Sequence, residues 1–237
     1  MAIVIFAVLG GLVPAIFWLW FWLKEDAKRP EPKGVIIYTF ILGGLAVIPT
    51  FILQRLLSKY FDWNLGHGLL MLIISWAAIE EVSKYLAARL SGLRSRHFDE
   101  PVDAMVYLIT AALGFAALEN SLYLLDSFYA RGGLALDFLL LGNFRFIGAT
   151  VVHIVTSALV GFFIASSFCY GKVAKRLALV VGLFTATLLH SVFNYFIITS
   201  NNGALFKIFL TLWFTAILII FFFEQIKNAV CQIKFKR

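Results

Sequence analysis

Seven apolar runs, each about as long as a membrane-crossing helix, restrict what this chain can fold into. A helix needs about 20 mainly apolar residues to cross a bilayer. The runs lie at residues 3–23, 35–55, 66–90, 103–125, 144–168, 177–198 and 205–223. Strands of membrane barrels are about 10 residues long and alternate in polarity, so runs of this length exclude a barrel. The sequence therefore predicts an all-α, polytopic membrane bundle of about seven transmembrane helices.

The composition excludes a soluble protein. Of the 237 residues, 62% are hydrophobic and 14% are charged, against roughly 45–50% and about 25% in soluble domains. A soluble fold of this size cannot bury so much apolar surface. Because the connections between the runs are short, we expect residues 1–237 to form a single integral-membrane domain with its motif-bearing core at about residues 66–198.

The formal net charge of +7 is compatible with a nucleic-acid surface or with a signal for membrane orientation. One set of alternate connections holds fourteen lysines and arginines, and the opposite set holds four. The positive-inside rule places the richer set in the cytoplasm. We therefore expect an amino terminus outside, a cytoplasmic carboxyl terminus, membrane lipid as a partner and no nucleic-acid partner.

Ionisable side chains within the predicted spans are the main candidates for function, because charged groups in hydrocarbon are costly. We call five of them the ionisable cluster: Glu80, Glu81, Glu119, His153 and His190. Four of them, on four helices, lie about 18–20 residues from a cytoplasmic turn, which predicts one shared depth in the middle or outer half of the bilayer. A lone buried glutamate or histidine is often structural, but five such groups favour a functional cluster.

Spacing within the helices places two further polar residues beside the ionisable cluster. Lys84 lies four residues after Glu80 on the same face, where it can keep a carboxylate ionised. Asn194 lies four residues after His190, so both can donate hydrogen bonds to one point. Glu80 and Glu81 differ by about 100° around their helix, so we expect only one to face the cluster centre. Such a carboxylate suits a general base that activates water, and the donors suit an oxyanion.

Four short motifs at these positions resemble, in order, those of the PrsW family of intramembrane proteases. They are the EExxK segment 80–84, the GFAxxEN segment 114–120, Arg145 followed by His153, and the HxxxN segment 190–194. The loops at 29–32 and 99–103 are also similar to family landmarks. The resemblance covers about residues 14–198 and adds Asn120 and Arg145 to Lys84 as supporting residues. Arg145 has a second interpretation, in which its side chain reaches the outer interface.

The resemblance implies a multi-pass endopeptidase of a bacterial or archaeal cell membrane. Its expected substrate is a single-span membrane protein, such as an anti-sigma factor, cut near the outer half of the bilayer. Prenyl endopeptidases of the same superfamily carry FxxxH where this chain has Phe115 and Glu119, which argues against a prenyl-protein substrate.

Two mechanisms are compatible with the motifs, and the favoured one requires no cofactor. In this glutamate version, Glu80 activates water with Glu81 as its partner or substitute. His190 and Asn194 then stabilise the oxyanion that forms on the scissile carbonyl.

Glu119 and His153 have a different role in each of the two mechanisms. In the glutamate version, Glu119 and His153 orient the water or protonate the leaving amine. In the alternative, Zn²⁺ is bound by Glu119, His153, His190 and one of Glu80 and Glu81. The chain has no HExxH motif, and EExxK is not a recognised zinc-ligand spacing.

Other classes of membrane protein are also compatible with buried glutamate and histidine. A proton-coupled transporter would place them in mid-membrane, but commonly with broken helices or internal repeats, which we do not detect. A haem protein would use His153 and His190 as axial ligands, and a seven-helix receptor would share the helix count and orientation. The protease is the favoured hypothesis.

Overall fold

The computed structural model describes residues 2–26, 29–61, 66–131, 148–199 and 202–227. Within these ranges every regular element is helical. The helices are α1 (Ala2–Glu25), α2 (Lys33–Leu45), α3 (Val47–Leu57), α4 (Gly66–Leu90), α5 (Asp103–Arg131), α6 (Thr150–Ser166), α7 (Lys172–Thr199) and α8 (Asn202–Lys227), with a 3-10 turn at Gly92–Arg94. The predicted all-α membrane bundle is confirmed, whereas the orientation of the termini stays a prediction.

The predicted second span, 35–55, is divided between α2 and α3 at Ala46. Pro49 explains the break, because proline has no N–H to donate to the carbonyl of Leu45. Ala46 itself keeps helical angles, with φ −64° and ψ −19°, so the interruption is local. The unbroken apolar run 35–55 had predicted one continuous helix here.

Within the described ranges, five stretches are long and apolar enough to cross a membrane: Ile3–Glu25, Lys33–Leu57, Asp103–Tyr129, Lys172–Thr199 and Leu210–Lys227. The other two helices fall short of that standard. The apolar helix α6 has 17 residues, and residues 144–147 of the predicted fifth span lie outside the described ranges. Helix α4 has 25 residues and carries Glu80, Glu81 and Lys84. Its polar groups, rather than its length, set it apart from a simple lipid-facing helix.

The central helix of the bundle is α5. Of its most apolar stretch, 72% is buried inside the protein, against 22–28% in the other four candidate spans. It packs against α1, α2, α4 and α6. A helix surrounded by other helices can carry polar side chains away from lipid, and Glu119 and Asn120 belong to this helix.

Two glycines allow α2 and α5 to cross at close range. A Cβ atom at Gly43 would overlap the backbone carbonyl of Ala111, and one at Gly114 would overlap the backbone carbonyl of Phe40. Both obstacles are backbone atoms, which cannot move aside as the end of a side chain can. Small residues at helix crossings permit this approach in membrane proteins.

We expect Gly114→Ala to destabilise the protein by about 1–3 kcal/mol, because the added methyl group forces α5 away from α2. Gly34→Ala is the matched control, since no atom lies within 4 Å of a Cβ built at Gly34. Thermal unfolding of both variants in detergent measures the difference. Equal stability of the two variants would contradict the close crossing.

The loops at 29–32 and 99–103 contact each other where α5 begins. Arg29 forms an ion pair with Glu100, and the hydroxyl of Tyr107 donates a hydrogen bond to Glu31. The carboxylate of Asp103 accepts a hydrogen bond from the backbone N–H of Glu100 at 2.7 Å. These contacts fix the start of the central helix, and they explain why polar residues cluster in both loops.

Candidate active site

Four helices bring the five groups of the ionisable cluster together. Helix α4 supplies Glu80 and Glu81, α5 supplies Glu119, α6 supplies His153 and α7 supplies His190. The two α4 carboxylates and both histidines are at most 7% exposed. The side chain of Glu119 is 18% exposed, so the cluster approaches the protein surface on the Glu119 side.

Lys84 and Glu81 form a buried ion pair within the cluster. Nζ of Lys84 lies 2.6 Å from Oε1 of Glu81, and both side chains are 0% exposed. The same oxygen lies 2.7 Å from Nδ1 of His190. A carboxylate only accepts hydrogen bonds, so Nδ1 of His190 carries a proton and Nε2 is the acceptor of the neutral ring. Lys84 therefore forms its ion pair with Glu81, three residues before it.

His153 lies between Lys84 and Glu119. Its Nδ1 is 3.1 Å from Nζ of Lys84, and its Nε2 is 2.7 Å from Oε2 of Glu119. An ammonium group only donates and a carboxylate only accepts, so Nδ1 accepts and Nε2 donates. The ring of Phe115 packs beside it, with centroids 5.6 Å apart. These contacts fix both the tautomer and the orientation of the imidazole.

Glu80 has one oxygen engaged and one available. Gln54 of α3 donates a hydrogen bond from Nε2 to Oε1 of Glu80 at 2.8 Å. The second oxygen, Oε2, is buried and has no hydrogen-bond partner. It faces Nε2 of His190 at 3.6 Å, which is longer than a hydrogen bond. Two polar atoms at this separation can both contact one water molecule.

Both glutamates of α4 contact His190, but only Glu80 offers an oxygen that converges with the ligand atoms of His153 and His190. Adjacent residues differ by about 100° around a helix. The imidazole of His190 lies between the two side chains, however, with Nε2 towards Glu80 and Nδ1 bonded to Glu81. The imidazole of His190 therefore contacts two carboxylates whose side chains project from α4 in different directions.

A donor set suitable for a metal ion exists within the described residues. One ligand atom from each of Glu80, His153 and His190 lies within 4.8 Å of the others. Two histidines and a glutamate are a known ligand set of catalytic zinc. The unpartnered oxygen of Glu80 fits this use, and Glu81 behind His190 is a typical outer partner of a metal-bound imidazole.

Two details of the predicted zinc site differ from this donor set. Glu119 is not a member of it and contacts His153 instead. Both nitrogens of His153 already have partners, so metal binding would require His153 to release either Lys84 or Glu119.

The remaining predicted site residues, the catalytic candidate Asn194 and the supporting residues Asn120 and Arg145, occupy different positions. Asn120 donates a hydrogen bond to Oγ1 of Thr150 at 3.0 Å, which joins α5 to α6. Asn194 lies one helical turn after His190 and is half-buried. Arg145 lies outside the described ranges, so its role stays a prediction.

Gln54 was not among the residues predicted for the site. It is a polar residue near the end of the apolar run 35–55. A polar side chain within an apolar run was the feature of the sequence that could have indicated a site residue. Its contact with Glu80 depends on how α3 packs against α4, which spacing along one helix does not determine.

Comparison with known proteins agrees with the four motifs. The model of a family described as PrsW family intramembrane metalloprotease matches residues 31–223. Protease PrsW of Bacillus subtilis is 28% identical over 199 residues, which are 83% of this chain and 85% of the relative. Protease PrsW of Halalkalibacterium halodurans is 26% identical over 212 residues, 88% and 92% of the two chains. No solved structure matches the chain significantly.

Proposed function

The chain belongs to the PrsW family of intramembrane proteases, and on this premise we propose that its ionisable cluster hydrolyses a peptide bond of a single-span membrane protein. One observation carries the proposal: Oε2 of Glu80 is buried, has no partner and faces Nε2 of His190 at 3.6 Å. A general base needs such an oxygen within reach of the water that it activates.

In the glutamate version, the Nδ1–H of His190 is directed at Glu81, so we assign His190 to accept a hydrogen bond from the water instead of donating to the oxyanion as predicted. A water donates one hydrogen bond to Oε2 of Glu80 and the other to Nε2 of His190. As the water oxygen attacks the scissile carbonyl carbon, one of its protons passes to Glu80. The C–N bond then breaks, and the proton held by Glu80 is delivered to the leaving amine. The cycle consumes one water and needs no further reactant.

The other cluster residues are proposed to assist this reaction. Glu81 holds the Nδ1–H of His190, so that Nε2 stays directed at the water. Asn194 follows His190 on the same face of α7 and supplies a donor for the oxyanion. Glu119 and His153 orient the water or pass the proton from Glu80 on to the leaving amine, and Glu119 is the more exposed of the two.

A zinc-dependent version of the same protease is the second candidate. The converging ligand atoms of Glu80, His153 and His190 favour it, as does the description of the family as metalloproteases. A zinc ion held by these three residues would act as a Lewis acid on the scissile carbonyl and on water. The pairing of Glu81 with His190 has the same orienting effect in both versions.

Chelation separates the two versions. The protein and a single-span anti-sigma factor are reconstituted in liposomes and treated with 1,10-phenanthroline until elemental analysis detects no zinc. We expect cleavage of the anti-sigma factor to continue after this treatment. The reason is that water activation by Glu80 needs no metal. Cleavage that stops on chelation and returns on addition of zinc alone would replace the glutamate version with the zinc version.

We further propose that the protein works in a bacterial or archaeal cell membrane, with the scissile bond in the outer half of the bilayer. The predicted topology and the shared depth of the cluster support the position of the bond. The named relatives come from bacteria, which supports the location. A single-span protein with an extracytoplasmic domain is the substrate class that fits both the position of the scissile bond and the location in a cell membrane.

A further inference from the structure

Gln54 contacts the ionisable cluster, although it belongs to none of the four motifs. It is half-buried on α3, and its carboxamide nitrogen donates to Oε1 of Glu80 at 2.8 Å. The direction of this bond follows from its atoms, because an amide nitrogen donates and a carboxylate oxygen accepts. Gln54 therefore acts on a reacting group from a helix that supplies no member of the cluster.

Other contacts already attach α3 to α4. The hydroxyl of Thr50, one turn before Gln54, donates to Oγ of Ser83 at 2.8 Å. The indole N–H of Trp76 donates to the backbone carbonyl of Gln54 at 3.4 Å. These two bonds hold the helix beside α4 without the Gln54 carboxamide, so the side chain is available for a separate role.

We propose that Gln54 is a positioning residue that determines which oxygen of Glu80 acts in the reaction. The two oxygens of a free carboxylate are equivalent, and a hydrogen bond to one of them fixes the rotation of the group. Because Gln54 holds Oε1, Oε2 is left facing Nε2 of His190 at 3.6 Å. Loss of this orientation removes the aligned geometry on which the rate depends.

The inference rests on the proposed function, since it requires Glu80 to act in hydrolysis. It applies to both versions of the mechanism. In the glutamate version Gln54 presents Oε2 to the water, and in the zinc version it would present the same oxygen to the metal.

The test compares Gln54→Met with Thr50→Val in liposomes containing a single-span anti-sigma factor. Methionine keeps the length of the glutamine side chain but cannot donate, whereas valine keeps the shape of threonine and removes the bond to Ser83. We expect Gln54→Met to lower kcat about tenfold, as loss of a hydrogen bond to a charged group does, with KM within about twofold. Thr50→Val should leave both constants unchanged.

Gln54→Glu is the second variant, because it has the same shape and places a carboxylate against Glu80. It should lower kcat at least as strongly as Gln54→Met. Thermal unfolding in detergent should show that Gln54→Met is no less stable than Thr50→Val, so that a lower kcat in Gln54→Met alone cannot come from a loosened α3.

Three results would overturn the inference, and they are distinguishable. Wild-type kcat in Gln54→Met would show that the bond to Glu80 has no role in the reaction. Equal losses of kcat in Gln54→Met and Thr50→Val would show that Gln54 only attaches α3 to α4. A wild-type protein that cleaves no single-span substrate would refute the proposed function, and the role of Gln54 with it.

Discussion

Glu80→Gln should reduce cleavage of a single-span substrate by about 10²–10⁴-fold, the usual contribution of a general base, and leave the fold intact. Glutamine has nearly the same shape as glutamate, but its carboxamide cannot take a proton from water. Because Glu80 is buried, removing its charge also removes a desolvation cost. Loss of stability therefore should not accompany the loss of activity.

Cleavage rates and thermal midpoints of the same preparation measure these two effects separately. Glu224→Gln is the matched control, because it makes the same chemical change at a glutamate of α8 whose side chain is 46% exposed. It should cleave like the wild type. A Glu80→Gln protein that keeps the wild-type rate would exclude Glu80 as the base.

Lys84→Met should destabilise the protein by about 3–5 kcal/mol, as breaking a buried ion pair usually does. Lys84 is fully buried and contacts Glu81 at 2.6 Å and His153 at 3.1 Å. Methionine fills a similar volume but leaves the charge of Glu81 uncompensated. Chemical unfolding in detergent measures the change in free energy.

The double variant Glu81→Gln/Lys84→Met identifies the cause of this destabilisation. It removes both charges, so it should recover much of the stability that Lys84→Met loses. A double variant as unstable as Lys84→Met alone would show that the hydrogen bond of Lys84 to His153, rather than compensation of the Glu81 charge, is what stabilises the cluster.

The apolar runs predicted helix bounds well where the length and composition of a run determine where the helix begins and ends. The run 66–90 has the bounds of α4, and the run starting at 103 has the first residue of α5. The break after Leu45 was missed, although Pro49 is visible in the sequence. A proline inside a membrane helix need not interrupt it, because neighbouring groups can satisfy the freed carbonyl, so its effect depends on the surroundings.

The shared level of the cluster residues was predictable, whereas their pairing was not. Counting residues from a turn fixes the height of a side chain, since a helix rises about 1.5 Å per residue. Which partner a side chain meets depends on how helices rotate and pack. For this reason the bond of Lys84 to Glu81, the contact of both α4 glutamates with His190, and the role of Gln54 required the structure.

The most direct test of the central claim, that Glu80 and His190 activate water to cut a peptide bond, is mass spectrometry of the products. Wild type and Glu80→Gln are incubated in parallel with a single-span anti-sigma factor in liposomes prepared in H₂¹⁸O. We predict two fragments from the wild type, with ¹⁸O in the new carboxyl terminus, and no comparable cleavage by Glu80→Gln. Equal cleavage by the two proteins would contradict the claim.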